Sequence, residues 1–100
     1  MHNIIGTLTL YGETLNIVEA RYTEGAPAIL LEDADGGPYC TFSTNLDGAN
    51  LAAGEVLVKT WSENEDMRQP MLESGLFEDT GRRVPNGFIQ AEVWRRVVKP

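Results

Sequence analysis

Carboxylates are the side chains in this sequence whose type and spacing come nearest to catalytic or metal-binding chemistry. They gather in two short clusters: Glu32, Asp33 and Asp35, and then Glu63, Glu65 and Asp66. A pair of carboxylates does general acid–base work only when one of them is desolvated in a cleft, which raises its pKa. Both clusters fall at expected turns or helix ends, where side chains are solvated. Turn and capping roles are therefore the favoured interpretation.

The other reactive residues lack suitable partners in the sequence. Cys40 is the only cysteine and His2 the only histidine, whereas nucleophilic catalysis needs a base with an orienting group and zinc needs several Cys or His ligands. Asp33-x-Asp35 followed by Gly36 is similar to the start of an EF-hand loop, but the acidic residue required twelve positions on is missing. We predict no catalytic residue, metal or cofactor, and we interpret Cys40 as a small buried apolar residue.

The charge is strongly acidic and unevenly distributed. Eight Lys and Arg against 15 Asp and Glu give a net charge of −7, with −11 in residues 1–81 and +4 in residues 82–100. Such a chain is repelled by nucleic-acid phosphates and by anionic membranes, so neither is an expected partner. The basic tail consists of Arg82, Arg83, Arg95, Arg96 and Lys99. We interpret these residues as internal ion-pair partners for the acidic body.

Length and composition fit one ordinary globular domain over residues 1–100. The chain is 42% hydrophobic and 23% charged, and it contains no apolar run of the roughly 18–20 residues that a membrane span requires. The first residues form neither a basic cluster nor a long apolar segment, so we expect no signal peptide and a cytoplasmic location.

Alternating apolar and polar residues separated by turn residues predict six strands. These strands span residues 3–11, 14–22, 28–32, 38–45, 55–60 and 88–98. The third is apolar through its middle, which predicts a central position in the sheet. Residues 78–86 are polar and end in Pro85-Asn86-Gly87, which favours a loop. Asp33 to Gly37 has the composition of a tight turn.

One helix is predicted at residues 63–74. Ser62 and Glu65 match a capping box, and Gly75 is expected to end the helix at its C′ position. Pro70 removes one backbone hydrogen bond and should kink or split the helix. The order β-β-β-β-β-α-β predicts an α+β fold, a curved and mostly antiparallel sheet of five to six strands with one helix packed on it.

The C-terminal half also resembles a known kind of protein. The residues that carry the resemblance are 55–64, 74–85 and 87–95, which include Trp61, Gly75 and Trp94. They resemble a family of small bacterial proteins encoded on plasmids, prophages and conjugative elements. The resemblance implies a cytoplasmic accessory protein without a known reaction, cofactor or catalytic residue. It also makes an anti-defence role worth naming.

Three functions stay open from the sequence. The first is a non-enzymatic factor that binds a host or mobile-element protein as a monomer or homodimer, in one form an anti-CRISPR or anti-restriction inhibitor whose carboxylates compete with phosphates for a basic groove. The second is a self-associating structural domain that pairs through an exposed edge, for example the strand at 88–98. The third is a small-ligand or enzymatic module that uses a pocket between helix and sheet.

Surface acids and aromatic residues are the candidates for partner contact. We predict a partner-binding surface made of Glu63, Glu65, Asp66, Glu78, Asp79, Trp94 and Arg96. Trp61 is expected in the core, whereas Trp94 fits core and surface equally well. We expect Tyr11, Tyr22, Phe42 and Trp94 to lie near a partly open sheet face.

Overall fold

A computed structural model describes residues 3–46 and 50–97, apart from the side chains of Glu63 and Asn86. The strands are β1 (Asn3–Leu10), β2 (Glu13–Arg21), β3 (Pro27–Glu32), β4 (Pro38–Thr41), β5 (Glu55–Val58), β6 (Phe77–Asn86) and β7 (Ile89–Arg96). A 3₁₀ helix (Ser62–Met67) and a short α-helix, α1 (Arg68–Glu73), lie between β5 and β6. The strands form two sheets, in the orders β1-β2-β3-β4 and β5-β7-β6.

The first sheet is an antiparallel meander. Its first hairpin turns at Tyr11 and Gly12, because Leu10 pairs with Glu13. The turn between β3 and β4 is held by the Asp33 carboxylate, which accepts hydrogen bonds from the amides of Asp35 at 3.0 Å and Gly37 at 2.9 Å. The predicted turn is confirmed. The apolar β3 pairs with both neighbours, so its predicted central position is confirmed as well.

The chain passes from one sheet to the other directly after β4. Ser43 forms an isolated bridge with Val58, and the amide of Lys59 donates to the carbonyl of Phe42 at 2.7 Å. All strand pairs named here are antiparallel, and one short α-helix accompanies them. The antiparallel α+β character predicted from the sequence is therefore confirmed. The single sheet of five to six strands is wrong, because seven strands form two sheets joined at this crossing.

The second sheet contains a strand, β6, where the polar sequence of residues 78–86 predicts a loop. β6 is polar along most of its length, and Gly81 at φ 87° bends it where the register with β7 shifts. Its charged residues stand opposite complementary ones on β7, Glu78 against Arg95 and Arg83 against Glu92. Cross-strand ion pairs can stabilise a strand that lacks apolar alternation. β6 borders the sheet, a position that tolerates Pro85.

The position of β7 corrects one of the self-association hypotheses. β7 pairs with β5 on one side and with β6 on the other, so the strand predicted at 88–98 is central in its sheet. A central strand has no free backbone edge for a second copy.

The helical segment is shorter and more divided than predicted. Ser62–Met67 form the 3₁₀ helix, and the α-helix begins only at Arg68, which places Pro70 in its first turn. Proline is tolerated there because the amide it lacks would have no partner inside the helix. The expected split is confirmed. The capping box is wrong, because Ser62 sits inside the helix at φ 59° and no side chain caps the first turn. Gly75 ends α1 at φ 78°, as predicted.

One core joins both sheets and the helix. Its fully buried side chains come from all three units, including Ile17 and Leu31 from the first sheet, Trp94 from the second and Met71 from α1. Phe42 and Trp94 meet with ring centroids 5.3 Å apart. Burying a large apolar side chain contributes about 1.5–3 kcal/mol, so this shared core holds the sheets together.

Smaller packing features complete the fold. A second cluster on the outer face of the β5-β7-β6 sheet gathers Leu57, Ala91 and Val93, with the half-buried Trp61 packed against it. Cys40 is partly exposed and rests against the main core, with its sulfur 3.4 Å from that of Met67. Within residues 3–46 and 50–97, no helix is both long and apolar enough to span a bilayer.

Candidate functional site

A buried carboxylate on β7 is the centre of the densest polar network in the described chain. Glu92 is 8% exposed, and both of its oxygens accept hydrogen bonds. Arg68 at the start of α1 donates through Nε at 3.0 Å and through Nη2 at 3.0 Å. The Thr60 hydroxyl donates at 2.8 Å and the Trp94 indole at 3.0 Å. Strand alternation places Glu92 and Trp94 on the same inner face of β7.

A second carboxylate, from β6, completes the Glu92 cluster, defined as Thr60, Arg68, Asp79, Arg83, Glu92 and Trp94. Asp79 accepts hydrogen bonds from Arg68 at 3.0 Å and from Arg83 at 2.9 and 3.0 Å. Arg83 also lies 3.7 Å from Glu92. Two guanidinium groups therefore face two carboxylates, and the formal charges of the cluster cancel.

The pKa shifts in the Glu92 cluster all favour its charged forms. Burial raises the pKa of Glu92, but hydrogen bonds from Arg68, Trp94 and Thr60 outweigh burial and lower it below the ordinary value. Hydrogen bonds from Arg83 lower the pKa of Asp79. The pKa values of Arg68 and Arg83 are raised, chiefly by hydrogen bonds to Glu92 and Asp79 respectively.

The hydrogen bonds and pKa shifts of the Glu92 cluster determine what chemistry it can perform. A general base must be poised to take a proton near neutral pH, and both carboxylates are held ionised well below it. Their oxygens are also occupied by donors from the same chain. The cluster thus has a structural role: its hydrogen bonds and ion pairs attach α1 and the chain after β5 to the inner face of β6 and β7.

The arginines of the basic tail all pair with carboxylates of this chain. Arg82 binds Glu55 at 2.9 Å, Arg83 binds Asp79 at 2.9 Å, Arg95 binds Glu78 at 2.7 Å, and Arg96 lies 3.5 Å from Glu19. The interpretation of the tail as internal ion-pair partners is confirmed for these four residues. Lys99 lies outside the described residues.

Two tyrosines and an aspartate meet on the surface, and exposed glutamates adjoin them in the sequence. The hydroxyl of Tyr11, at the tip of the β1–β2 hairpin, donates to the carboxylate of Asp66 in the 3₁₀ helix. This hydrogen bond raises the pKa of Tyr11, and the neighbouring Tyr39 of β4 raises it further. Glu13 and Glu65 are exposed next to these residues along the chain. We call Tyr11, Glu13, Tyr39, Glu65 and Asp66 the tyrosine–acid patch.

The backbone of Tyr11 is in an unfavourable conformation. Its φ is 52°, in the left-handed region that suits Gly and Asn, and Gly12 follows at φ 78°. Two consecutive positive φ values form the tight hairpin turn for which Asn-Gly is the preferred sequence. Tyr11 is nevertheless 77% exposed, so burial does not compensate for this strain. Such strain is typical of residues that serve a purpose other than stability.

The structure separates the residues predicted to bind a partner. Glu65 and Asp66 are exposed in the 3₁₀ helix, and Glu78 is exposed on the outer face of β6. Asp79 belongs to the Glu92 cluster, and Arg96, the last residue of β7, pairs with Glu19. The assignment of Trp94 to this surface is corrected, because the side chain is fully buried and has no area to offer. Glu63 lies in the 3₁₀ helix, but its side chain is outside the described part of the structure.

The aromatic residues expected near an open sheet face are also separated. Phe42 and Trp94 are in the core, and Tyr22 is half-buried with its hydroxyl 2.9 Å from that of Ser43. Tyr11 is exposed at the hairpin tip. Neither Tyr11 nor Tyr39 is among the residues predicted from the sequence to bind a partner. The missed signal is a tyrosine directly before a turn glycine.

A cavity of about 490 Å³ opens between the two sheets. β2 and β3 line one side, and residues 51–56 with Arg96 line the other. A smaller cavity of about 290 Å³ lies between β1 and α1, next to Pro70. The larger cavity therefore lies between the sheets, away from the helix–sheet junction proposed from the sequence. Among the described residues, no group of three or more His, Cys, Asp or Glu side chains is placed to hold a metal ion.

Comparison with known proteins gave no relative. The chain matches no protein-family model, no curated protein and no solved structure.

Proposed function

We propose that this protein is a non-enzymatic binding module that docks onto a basic protein surface through the tyrosine–acid patch. The observation that carries the proposal is the strained, exposed Tyr11 beside Asp66 and Tyr39. Tyrosine is among the residues that contribute most to protein interfaces, because it supplies a large rigid area with a polar tip.

The charge distribution supports a basic partner. Arg68 and the four arginines of the tail all lie against carboxylates of this chain. In contrast, no Lys or Arg of residues 3–46 and 50–97 forms an ion pair with Glu13, Glu65 or Asp66. The patch therefore retains negative charge that a cationic surface can match, which speeds encounter and selects partners.

The kind of partner follows from the same charge and from the sequence resemblance. Grooves that bind nucleic acids are basic, and an anionic surface competes with phosphates for them. Together with the resemblance to mobile-element accessory proteins, this supports a host complex that handles nucleic acid as the target. The role would be that of an anti-defence inhibitor, against CRISPR or restriction systems.

The test compares captured proteins from a bacterial lysate across matched variants. Glu65→Gln/Asp66→Asn removes two charges from the patch, and Asp35→Asn/Glu73→Gln removes two exposed charges elsewhere. We expect one set of proteins to be retained by the natural chain and the control variant but lost with the patch variant. Retention that is equal for both variants would contradict the patch.

The captured partner is then purified and its binding measured directly. We expect the affinity to fall at least about tenfold between roughly 50 and 500 mM salt, since exposed charges are screened within that range. A short DNA duplex should compete with the protein for the partner. An affinity that changes neither with the salt concentration nor on addition of DNA would exclude charge mimicry.

Aromatic controls test the tyrosine itself. Tyr11→Asn removes the ring at one hairpin tip, whereas Phe88→Ser removes a fully exposed ring from the tip of the β6–β7 hairpin. The proposal requires that the first change weakens binding and the second does not. Weaker binding by Phe88→Ser and unchanged binding by Tyr11→Asn would instead assign the interface to the β6–β7 hairpin.

A further inference from the structure

Arg96 carries a buried donor atom that lacks a hydrogen-bond partner among the described residues. None of the described residues accepts a hydrogen bond from its buried Nη1 atom. Its Nε is 3.5 Å from the Glu19 carboxylate, beyond the usual 2.7–3.2 Å for an N–H···O hydrogen bond. The guanidinium also lies 5.8 Å from the centre of the Phe77 ring, which holds it by a cation–π contact. The group therefore keeps donor capacity that residues 3–46 and 50–97 do not use.

The same arginine lines the cavity between the two sheets. The side chain is 29% exposed, so part of it faces solvent while Nη1 is covered. The cavity measures about 490 Å³, within the range of small-molecule sites in proteins. A rotation of the planar guanidinium away from Glu19 would direct its paired N–H groups into this space, in the fork geometry that matches an oxyanion.

The remaining lining decides the chemistry of the occupant. Glu55 is already neutralised, since its carboxylate accepts hydrogen bonds from Arg82 at 2.9 Å and from the amide of Ala52 at 2.8 Å. Of the other charged residues that line the cavity, Arg21 and Arg96 are positive and only Glu19 is negative, which leaves a local excess of positive charge in an acidic protein. Apolar groups supply the smaller share of the exposed lining, Leu51 and Pro27 among them, while Ile29 and Val56 are almost fully buried beneath it.

We propose that this cavity binds a small molecule with an apolar body and a terminal oxyanion, held by Arg96. The oxyanion displaces Glu19 from the guanidinium, and the apolar body lies between β3 and the loop before β5. The proposal is independent of the tyrosine–acid patch, because no residue of the patch lines the cavity.

Three six-carbon probes test the site. Hexanoate and hexyl phosphate carry the two common oxyanions, and hexanamide is the neutral match. Binding is followed by NMR shifts of the backbone amides of Gly54 and Ile29. We expect hexanoate to bind with a dissociation constant of about 1 mM and hexanamide at least about tenfold more weakly. Whichever of hexanoate and hexyl phosphate binds more tightly identifies the class of oxyanion, carboxylate or phosphate.

Matched variants assign the binding to Arg96. Arg96→Gln should weaken hexanoate at least about tenfold, whereas Arg95→Gln, on the opposite face of β7, should leave it unchanged. Should the first variant fail to fold, Arg96→Lys keeps the charge without the planar fork and should bind a few-fold more weakly. Equal binding of hexanoate and hexanamide, undiminished binding by the Arg96 variants, or no shifts at about 10 mM probe would each overturn the proposal.

Discussion

Single residues in this protein have unequal consequences for stability, and Glu92 has the largest among the charged ones. Replacing it with Gln leaves Asp79 as the only carboxylate facing Arg68, and it puts an amide donor where one oxygen now accepts a hydrogen bond. We expect Glu92→Gln to lower the free energy of unfolding by about 2–3 kcal/mol, in line with breaking a buried ion pair whose partner is partly exposed. Chemical denaturation measures the change.

A charge-matched control is available on the neighbouring strand. Glu78→Gln breaks the exposed pair with Arg95 and should cost only about 0–1 kcal/mol. Equal losses for the two variants would show that the Glu92 cluster is no stronger than a surface pair.

The pH dependence of stability follows from the direction of the carboxylate shifts. Glu92 and Asp79 have folded-state pKa values below their unfolded ones, which are about 4. Their contribution is therefore complete above pH of about 5 and is lost as the pH falls through the lower folded values. We expect the free energy of unfolding to fall between roughly pH 5 and 2, and to fall less steeply in Glu92→Gln. Denaturation curves at several pH values test this, and an unchanged slope would rule out Glu92 as a source.

Replacing Tyr11 should affect stability and partner binding in opposite ways. Asn adopts a positive φ more readily than Tyr, so Tyr11→Asn should leave the protein as stable or raise its stability by up to about 1 kcal/mol. The midpoint of thermal unfolding measures this. A clear destabilisation would mean that the Asp66 contact outweighs the turn strain, and the argument that Tyr11 is retained for binding would lose its basis.

Among the elements, α1 depends on packing far more than on its own helical propensity. It is six residues long, which is too short for an isolated helix in water. We expect Met71→Ala to cost about 2–5 kcal/mol, because Met71 is fully buried in the shared core. Pro70→Ala should change stability by less than about 1 kcal/mol, since proline in a first turn breaks no helical hydrogen bond. Urea unfolding measures the free energy of unfolding of both variants. A larger loss for Pro70→Ala than for Met71→Ala would contradict the dependence of α1 on packing.

The elements also show how far the sequence could be interpreted. Six strands, the Asp33 turn and the division of the helical segment shortly before Pro70 were predictable, because each rests on local periodicity or on residues with fixed backbone preferences. β6 was not, because its stability comes from charges on another strand that no local pattern reveals. The capping box failed because the helical segment begins one residue earlier than its sequence pattern predicts, with Trp61 rather than Ser62 at the N-cap position.

The candidate site was harder to predict than the fold. Glu65 and Asp66 are exposed as expected, while the link from Asp66 to Tyr11 spans distant parts of the chain. Trp94 was ambiguous because strand alternation alone does not say which face of β7 is covered. The unused donor of Arg96 depends on the spacing of two sheets, which the sequence does not encode locally.

Across the whole molecule, the shared core predicts that both sheets unfold together. Trp94 reports on the main core and Trp61 on the outer cluster. The variants Trp61→Phe and Trp94→Phe each retain one of these indoles. We expect each variant to show one transition, with fluorescence and circular dichroism giving coincident curves. Within either variant, a fluorescence midpoint distinct from that of circular dichroism would show that the sheets are separate cooperative units.

The central place of β7 also has a consequence for how the protein is made. Until residues 89–96 have left the ribosome, β5 and β6 have no common neighbour, and the indole around which the interior packs is missing. A nascent chain halted before that point exposes apolar strands that a completed chain conceals. Productive folding must therefore wait until this stretch emerges, and shorter translation products should be targets for chaperones and proteases.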